Sequence, residues 1–242
     1  MDNICILGDG LLGSELNRQT GWDIISRSKD GFDIANQSTW DDLLLIKEHG
    51  VIMCYKYDTI INCIAHTDTY SLYPNIHWNV NYKGVVDLTD YCTKYRIKLV
   101  HISTDYIYSN SNECAVENID VPVHCANWYG YTKLLGDAYV QLKSDRNLVI
   151  RSTHKPRPFP YESAWINQYG NFDYVDIISE MIIKLIRKNC GGVYNVGTEC
   201  KNMFHLAKRT KPDVKFSNRL PDKSTPTDVT MDLTKLNAII CE

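Results

Sequence analysis

The sequence predicts an α/β fold built on a doubly wound parallel sheet. Three observations predict it. Short apolar runs of strand length alternate with helical segments, a glycine turn separates the first strand from the first helix, and the run at 59–65 is apolar enough to be buried on both faces. Alternation of this kind gives parallel strands that are joined by right-handed crossovers.

The elements follow one another along the first 151 residues. Strands are predicted at 4–7, 23–26, 59–65, 98–102 and 148–150, and helices at 11–18, at 78–95 and from about 127. After Arg151 the pattern loosens, because the alternate prolines of 156–160 cannot lie in a helix. One more helix is predicted at 175–186 and one short strand at 193–196.

Composition excludes several classes of protein. The 242 residues suit one domain or one domain with a small lobe, and 44% of them are hydrophobic. The net charge is −3 and no basic run of five residues occurs, so we expect no nucleic-acid partner. No secretory signal or membrane-length apolar run is present, which predicts a cytoplasmic protein with no membrane contact. The nine cysteines form no Cys-x-x-Cys pair, so we expect free thiols and no metal site.

The first motif lies between the first strand and the first helix. It reads Gly8-Asp9-Gly10-Leu11-Leu12-Gly13, a G-x-G-x-x-G. The first glycine makes a tight turn, the second lets the backbone approach a pyrophosphate, and the third lets the helix pack closely on the strand. The helix N-terminus then offers free N–H groups to the phosphates. The motif predicts a Rossmann-like dinucleotide site, with contacts at Gly8, Gly10, Leu11, Leu12 and Gly13.

The choice of dinucleotide depends on the end of the second strand. An NAD site usually has a carboxylate there, whereas an NADP site has cations and hydroxyls for the 2′-phosphate. This sequence has Ser26-Arg27-Ser28-Lys29, with two cations and no carboxylate, which favours NADPH. We expect cofactor contacts at Arg27, Ser28, Asp33 and Ile34, while solvated loop charges remain the alternative for the two cations.

The second motif is a Tyr-x-x-x-Lys pair, Tyr129 with Lys133, which puts both side chains on one face of a helix. The spacing alone decides nothing, since Tyr139 and Lys143 match it too. The two pairs cannot share a site, because ten residues place Tyr139 about 80° around the helix from Tyr129. The pair at Tyr129 is favoured because Thr104 follows a strand at its carboxyl end, where open parallel sheets place their sites.

These three groups suit the reduction of a carbonyl. A hydride that leaves a nicotinamide builds negative charge on the substrate oxygen, which must then be protonated. A phenol is a weak acid near neutrality, so we expect Lys133 to lower the pKa of Tyr129 and the Thr104 hydroxyl to orient the carbonyl. A helical tyrosine and a strand-end threonine without a catalytic role are the alternative.

Longer segments resemble the extended short-chain dehydrogenase/reductases, and in particular the dTDP-4-dehydrorhamnose reductase family. The segment 101–108, His-Ile-Ser-Thr-Asp-Tyr-Ile-Tyr, is similar to the family's Ser-Thr-Asp-Tyr segment, and 127–136 is similar to its catalytic helix. The segment 62–67 resembles the strand and loop that pass along the cofactor, and Asn81 stands where the family has a helix asparagine.

The resemblance implies a set of roles, in an enzyme that uses NADPH to reduce the 4-keto group of a nucleotide-linked 4-keto-6-deoxyhexose. Thr104, Tyr129 and Lys133 would be the catalytic residues. Further cofactor contacts would come from Cys63, Ile64, Ala65 and Asn81. Contacts with the nucleotide-sugar substrate would come from His66, Thr67, Asp105 and Tyr106.

The domain organisation follows from the same reading. Residues 1–151 would form the NADP-binding Rossmann domain with the catalytic residues, and residues 152–242 a small, reduced substrate lobe interleaved with the last sheet elements. In that lobe, Lys155 and Arg157 could neutralise a substrate pyrophosphate. A solvated basic loop explains these two cations equally well.

Other functions of the same family group stay open. Nucleotide-sugar 4,6-dehydratases have Asp-Glu after the catalytic threonine, and Tyr106 stands here instead of Glu, so dehydration is disfavoured. A bifunctional 3,5-epimerase/4-reductase is disfavoured because the loop 67–81 lacks the expected cysteine. A silent NADP-binding regulatory subunit, like the methionine adenosyltransferase beta subunit, is the alternative from another class. The apolar helices would allow a homodimer, and nothing in the sequence specifies one.

Overall fold

The computed structural model describes residues 3–49, 51–109, 114–117, 127–218 and 225–241. The strands of this part of the chain are β1 (Ile4–Leu7), β2 (Asp23–Ile25), β3 (Leu45–Glu48), β4 (Val51–Tyr55), β5 (Thr59–Asn62), β6 (Lys98–Ile102), β7 (Asn147–Arg151), β8 (His154–Lys155), β9 (Ser163–Trp165), β10 (Tyr169–Gly170), β11 (Asp173–Tyr174), β12 (Gly192–Asn195), β13 (Lys201–Asn202), β14 (Lys215–Ser217) and β15 (Asp228–Val229). The helices are α1 (Leu11–Thr20), α2 (Arg27–Asp30), α3 (Asp41–Leu44), α4 (Pro74–His77), α5 (Gly84–Lys94), α6 (Trp128–Lys143), α7 (Val175–Arg187), α8 (Met203–Lys208) and α9 (Thr234–Ile240).

The central sheet has six strands in the order β2-β1-β5-β6-β7-β12. Every neighbouring pair in it is parallel. The chain moves outward from β1 in one direction to β2 and in the other through β5, β6 and β7, so the sheet is doubly wound, as predicted. The carboxyl ends of all these strands meet at one edge, which positions the site described below.

Successive residues of each strand supply two cores, one on each face of the sheet. On one face, Ile6, Ile61 and Val100 pack against α1, α7 and α9. On the other face, Cys5 and Leu99 belong to a core that includes buried residues of α5 and α6. Burial on both faces explains why these strands read as nearly continuous apolar runs.

Two predicted elements have clearly different bounds in the structure, and one hairpin was missed. The strand predicted at 59–65 ends at Asn62, because the Asn62 side chain accepts a hydrogen bond from the Ile64 N–H at 3.1 Å and turns the chain. The helix predicted at 78–95 begins earlier, at Pro74, and contains the π-helical segment Trp78–Lys83 between α4 and α5. The antiparallel hairpin of β3 and β4, separate from the central sheet, was not predicted.

The C-terminal residues contribute to the main sheet and also build a small lobe. β12 is the edge strand beside β7, and α7 covers the sheet. Short strand pairs, β8 with β11 and β9 with β14, surround a separate core, whose buried members are Phe159, Ala164, Phe172, Tyr174, Met203, Leu206, Ala207 and Val214. The proline segment after Arg151 is not helical, as predicted. Among the described residues, no helix is long and apolar enough to span a bilayer.

Candidate active site

A cavity of about 840 Å³ opens at the carboxyl edge of the central sheet. One wall is formed by residues at or just after the ends of β1, β5 and β6 and by the first turns of α1 and α6, and the facing wall comes from the C-terminal lobe. Of the residues predicted for the site, the cavity is lined by Gly10, Leu11, Leu12, Cys63, Ala65, Thr67, Thr104, Tyr106, Tyr129, Lys133 and Lys155. The structure therefore brings the predicted phosphate turn and the predicted catalytic groups to one space.

The glycine turn has the geometry that a phosphate cradle requires. Gly8 has φ +99°, a conformation that side chains disfavour, and a Cβ on Gly13 would lie 1.9 Å from the Gly8 carbonyl oxygen. Gly10 is the N-cap of α1 and provides no side-chain cap, and the space around a Cβ placed there is open. The first N–H groups of α1 are thus available to an anion, so these residues fit a dinucleotide pyrophosphate.

The residues predicted to contact the adenosine half lie outside the cavity lining. The Arg27 side chain is 80% exposed and pairs with Asp33 at 3.4 Å. Ser28 donates a hydrogen bond to Asp9 at 2.8 Å. Ile34 is buried in the core, at 2% exposure. Carboxylates from other segments therefore lie beside the predicted NADP contacts, although the stretch 26–29 itself contains none.

Thr104 and Tyr129 are held by local caps at the ends of their elements. Thr104 is buried and caps the 3₁₀ turn Asp105–Tyr108 by accepting a hydrogen bond from the Tyr106 N–H at 3.2 Å. The Asn127 side chain accepts a hydrogen bond from the Gly130 N–H at 2.7 Å, so α6 begins where predicted and places half-buried Tyr129 in its first turn.

The pKa of Tyr129 differs from the expectation that Lys133 would lower it. Burial raises this pKa to about 12, a hydrogen bond with Thr104 opposes the rise, and the Asp105 charge adds to it. The expectation was wrong, because burial dominates this pKa and Lys133 is not among the groups that shift it. The Lys133 ammonium is hydrogen-bonded instead to the Ile102 carbonyl, at 2.5 Å. Tyr129 is consequently a protonated phenol at neutral pH, which is the form that can donate a proton.

Lys133 is only 1% exposed. Burial lowers its pKa to about 8, while Asp137 and Cys63 oppose that shift. Asp137 lies one turn further along α6 and forms a buried, bidentate ion pair with Arg151 of β7, at 3.0 and 3.1 Å. This pair fixes α6 on the sheet, and with it the position of both Tyr129 and Lys133.

Asp105 lies under the cavity and does not line it. Its Oδ1 accepts hydrogen bonds from Thr153 at 2.5 Å and from Thr104 at 3.3 Å. Within the described chain, its buried Oδ2 has no hydrogen-bond partner. Burial raises the pKa of Asp105 to about 6, although Thr153 and the positive charge of Lys155 oppose the shift. The carboxyl thus links the floor beneath Thr104 to the C-terminal wall.

Lys155 and Arg157 have different surroundings although they are two residues apart. Lys155 lines the cavity and is half-buried, and burial lowers its pKa while Asp105 opposes that shift. Arg157 is exposed, bonds Asp176 at 2.8 Å and lies over the Tyr174 ring at 5.5 Å. The structure places Lys155 in the site and Arg157 outside it.

Asn81 and His66 do not line the cavity, but their contacts hold the loop after β5, which contains His66. The Asn81 side chain accepts a hydrogen bond from the His66 N–H at 2.8 Å and donates one to the His66 carbonyl at 2.9 Å. The His66 ring packs against His77 with its centroid 4.5 Å away. This network holds the loop that carries Cys63, Ala65 and Thr67 along the cavity.

Several lining residues were not predicted. Ser103 and Ser152 line the cavity, and their buried hydroxyls have no hydrogen-bond partner among the described residues. The C-terminal wall supplies Thr153, Phe159, Tyr161, Trp165, Gln168 and Met203, and Tyr70 comes from the loop after β5. Ser103 and Ser152 follow strand ends and could have been found by that rule, whereas the wall residues come from short strands, loops and the start of α8.

Comparison with known proteins decides the family. The sequence profile of the family described as "RmlD substrate binding domain" matches residues 2–154, more than half of the chain. This chain belongs to that family. The resemblance drawn from the motifs is therefore confirmed. The matched residues include the whole glycine turn, Thr104, Tyr129 and Lys133, and the match ends one residue before Lys155.

Curated relatives of this RmlD-family chain match it over part of their length. A dTDP-4-dehydrorhamnose reductase of Aggregatibacter actinomycetemcomitans is 26% identical over 106 residues, 43% of this chain and 36% of the relative. The probable low-salt glycan biosynthesis reductase Agl14 of Haloferax volcanii is 31% identical over 99 residues, 40% of this chain and 33% of the relative. The chain thus spans about a third of the length of these relatives.

Solved structures confirm the fold class over nearly the whole chain. The crystal structure of dTDP-4-dehydrorhamnose reductase from Bacillus anthracis in complex with NADP has a TM-score of 0.81 at 22% identity, covering 98% of this chain and 91% of that one. A hypothetical dTDP-4-dehydrorhamnose reductase from Sulfolobus tokodaii has a TM-score of 0.79 at 22% identity, with 98% and 94% covered. The RmlD-family chain therefore has the Rossmann-like α/β fold that its sequence predicts.

Proposed function

We propose that this chain is an NADPH-dependent reductase of a nucleotide-linked 4-keto-6-deoxyhexose, with dTDP or UDP as the nucleotide. Its product would be a rhamnose-type sugar nucleotide. The observation that carries the proposal is the convergence of Thr104, Tyr129 and Lys133 on one cavity that also contains the glycine turn. The names of the relatives support the substrate class.

The cofactor would lie along the carboxyl edge of the sheet. The turn from Gly8 to Gly13 and the N-terminus of α1 would hold its pyrophosphate, and Cys63 and Ala65 would lie along it. Lys133 would bond the nicotinamide ribose. When bound, the reduced nicotinamide supplies a hydride for C4 of the sugar.

The protein's own residues would handle the proton. Tyr129, protonated at neutral pH, would donate its phenolic proton to O4 as the C4 carbonyl becomes a hydroxyl. The Thr104 hydroxyl would orient the carbonyl oxygen beside that phenol. After the transfer, solvent would return a proton to the Tyr129 oxygen.

The substrate would occupy the side of the cavity that faces the C-terminal lobe. Thr67 and Tyr106 would contact the sugar, with Asp105 beneath them, as the family resemblance implies. The half-buried Lys155 would lie near the substrate pyrophosphate, which is the role that its position in the lining supports.

The test is turnover by the purified chain with NADPH and a dTDP- or UDP-linked 4-keto-6-deoxyhexose, followed by nicotinamide absorbance. We expect oxidation of NADPH with the keto sugar and none with the corresponding sugar that lacks the keto group. Deuterated NADPH should place deuterium at C4 of the product. Tight binding of NADPH without turnover on any such sugar would contradict the proposal and favour a regulatory NADP-binding subunit.

The same reaction in D₂O separates a reductase from a bifunctional epimerase/reductase. An epimerase must remove and replace protons at C3 and C5, which would introduce solvent deuterium at these carbons. We expect no deuterium there, because the loop 67–81 offers no cysteine. Incorporation at C3 or C5 would show that reduction is only part of the activity.

A further inference from the structure

A carboxylate occupies the part of the glycine turn nearest to β2. Asp9 lies between Gly8 and Gly10, and the Gly8 N–H donates to the Ile25 carbonyl at 2.8 Å, which ties the turn to the end of β2. The Ser28 hydroxyl donates to Asp9 Oδ2 at 2.8 Å. The hydroxyl oxygens of Ser28 and Ser26 lie 3.2 Å apart. Asp9 thus accepts the hydrogen bond of the Ser28 hydroxyl, which a bound 2′-phosphate would need as a donor.

The surroundings keep Asp9 ionised at neutral pH. Hydrogen bonds from Ser28 and then Ser26 lower the pKa of its carboxyl, and Lys29 adds to this effect. The other cation of the segment, Arg27, is paired with Asp33 at 3.4 Å. Both groups on which an NADP site would depend, the Ser28 hydroxyl and the Arg27 guanidinium, therefore already have carboxylate partners.

In Rossmann folds the chain after the second strand meets the 2′ position of the adenosine ribose. A carboxylate there accepts a hydrogen bond from the 2′-hydroxyl of NADH, whereas the 2′-phosphate of NADPH requires cations and hydroxyl donors. Asp9 comes from the end of β1, which pairs directly with β2. The hydrogen bond from Ser28 keeps the Asp9 carboxylate beside the chain that follows β2.

We propose that Asp9 limits the preference of this chain for NADPH, because its carboxylate accepts a hydrogen bond from the 2′-hydroxyl of NADH and weakens the binding of the 2′-phosphate of NADPH. The inference rests on the dinucleotide binding of the proposed function. It adds that Arg27 and Ser28 do not by themselves make the site specific for NADPH, so the unmodified chain also binds NADH.

The test compares dissociation constants of NADPH and NADH, measured by fluorescence titration of the full chain without substrate. Asp9→Asn keeps the size of the side chain and an acceptor for Ser28, and removes the charge. We expect it to shift the affinity ratio toward NADPH by about tenfold or more, as for the loss of a charged hydrogen-bonding group. Asp9→Ser, a second variant without the charge, should shift the ratio in the same direction.

Asp23→Asn is the matched control, because it removes the same charge at the amino end of β2, where Asp23 binds the Tyr57 hydroxyl at 3.0 Å. We expect it to leave the ratio unchanged. Equal changes in both dissociation constants of the Asp9 variants, with folding intact by thermal unfolding, would overturn this inference alone. A wild-type chain that binds neither dinucleotide would overturn the proposed function as well.

Discussion

Helix α6 carries two Tyr-x-x-x-Lys pairs with the same spacing and different surroundings. Tyr129 and Lys133 lie in its first two turns, against the cavity at the carboxyl edge of the sheet. Tyr139 lies near the other end, where its hydroxyl donates to Asp90 of α5 at 2.9 Å. Lys133 is 1% exposed, whereas Lys143 is an exposed residue at the end of the helix.

The comparison shows that the chemistry of such a pair comes from its place in the fold. In the first pair Lys133 is buried and Tyr129 is half-buried, and burial changes the pKa of both. The second pair faces a neighbouring helix and solvent. The spacing only puts two side chains on one helix face. The cap at Asn127 fixes where α6 begins, and the buried Asp137–Arg151 pair holds the helix against the sheet.

The largest expected difference between the pairs is in turnover. Tyr129→Phe removes the proton donor and should lower kcat with NADPH and the keto sugar by about 10²-fold or more. Tyr139→Phe, the matched control, removes one hydroxyl from the same helix and should leave kcat unchanged. The measurement is steady-state kinetics of both variants.

Equal loss of activity in the two tyrosine variants would contradict the assignment of the reaction to the first pair. A Tyr129→Phe variant with the wild-type rate and an unchanged NADPH dissociation constant would also contradict it. Loss of rate without loss of NADPH binding is the result that assigns Tyr129 to the reaction itself.

The second expected effect is on stability and concerns Asp105, the buried carboxyl beneath the first pair. Its folded-state pKa of about 6 lies above the ordinary 3.8, so the folded state holds a proton that the unfolded state has lost. The stabilisation from that proton is present below about pH 4 and is lost as the pH rises through about 6. Its size is roughly 3 kcal/mol for a shift of about two units.

Asp105→Asn removes this titration and keeps an acceptor for Thr104 and Thr153. From pH 4 to pH 7, urea unfolding should therefore show the variant gaining stability relative to wild type, by up to roughly 3 kcal/mol. Asp90→Asn, a change beside the second pair, is the control and should show no such gain. Parallel pH curves for wild type and Asp105→Asn would mean that this carboxyl is not held in an unfavourable environment.

The sequence predicted the sheet and its edge because these depend on local signals. Apolar runs locate β1, β5 and β6, and the helices predicted after the glycine turn and from about residue 127 begin within a residue or two of the observed starts. Groups that follow strand ends, such as Thr104, could therefore be assigned to one edge before the fold was known.

The rest depends on contacts between distant segments, which leave no local pattern. The C-terminal wall is built from strands of two or three residues, including β9, and Trp165 enters the cavity through the pairing of β9 with β14. The direction of the Tyr129 pKa shift was missed for a similar reason. It depends on the burial of the phenol and on the charge of Asp105, which outweigh the hydrogen bond with Thr104.

A third prediction uses pH to compare the two lysines. Burial lowers the pKa of Lys133 to about 8. The positive charge with which Lys133 would hold the nicotinamide ribose is therefore present below that pH and is lost above it. With Tyr129 still protonated, kcat/KM for reduction should be level below about pH 8 and then fall about tenfold per pH unit. Lys143→Gln should have the wild-type profile, and Lys133→Gln should lose the inflection. If kcat/KM of the wild type stayed level up to pH 10, the charge of Lys133 would not be needed for the reaction.

The smallest expected effect extends the comparison to two cations that are neighbours in sequence, Lys155 in the cavity lining and Arg157 outside it. Arg157 and Asp176 form an exposed pair, with side chains 51% and 30% exposed, and such pairs contribute at most about 1 kcal/mol. Arg157→Met should therefore change the unfolding free energy by less than that and leave the KM for the nucleotide sugar unaltered. Lys155→Met should raise this KM without changing the NADPH dissociation constant. Because both substitutions remove one positive charge from one short segment, a rise in KM in both variants would point to the overall charge of the loop, and a rise in Lys155→Met alone to the ammonium group in the cavity.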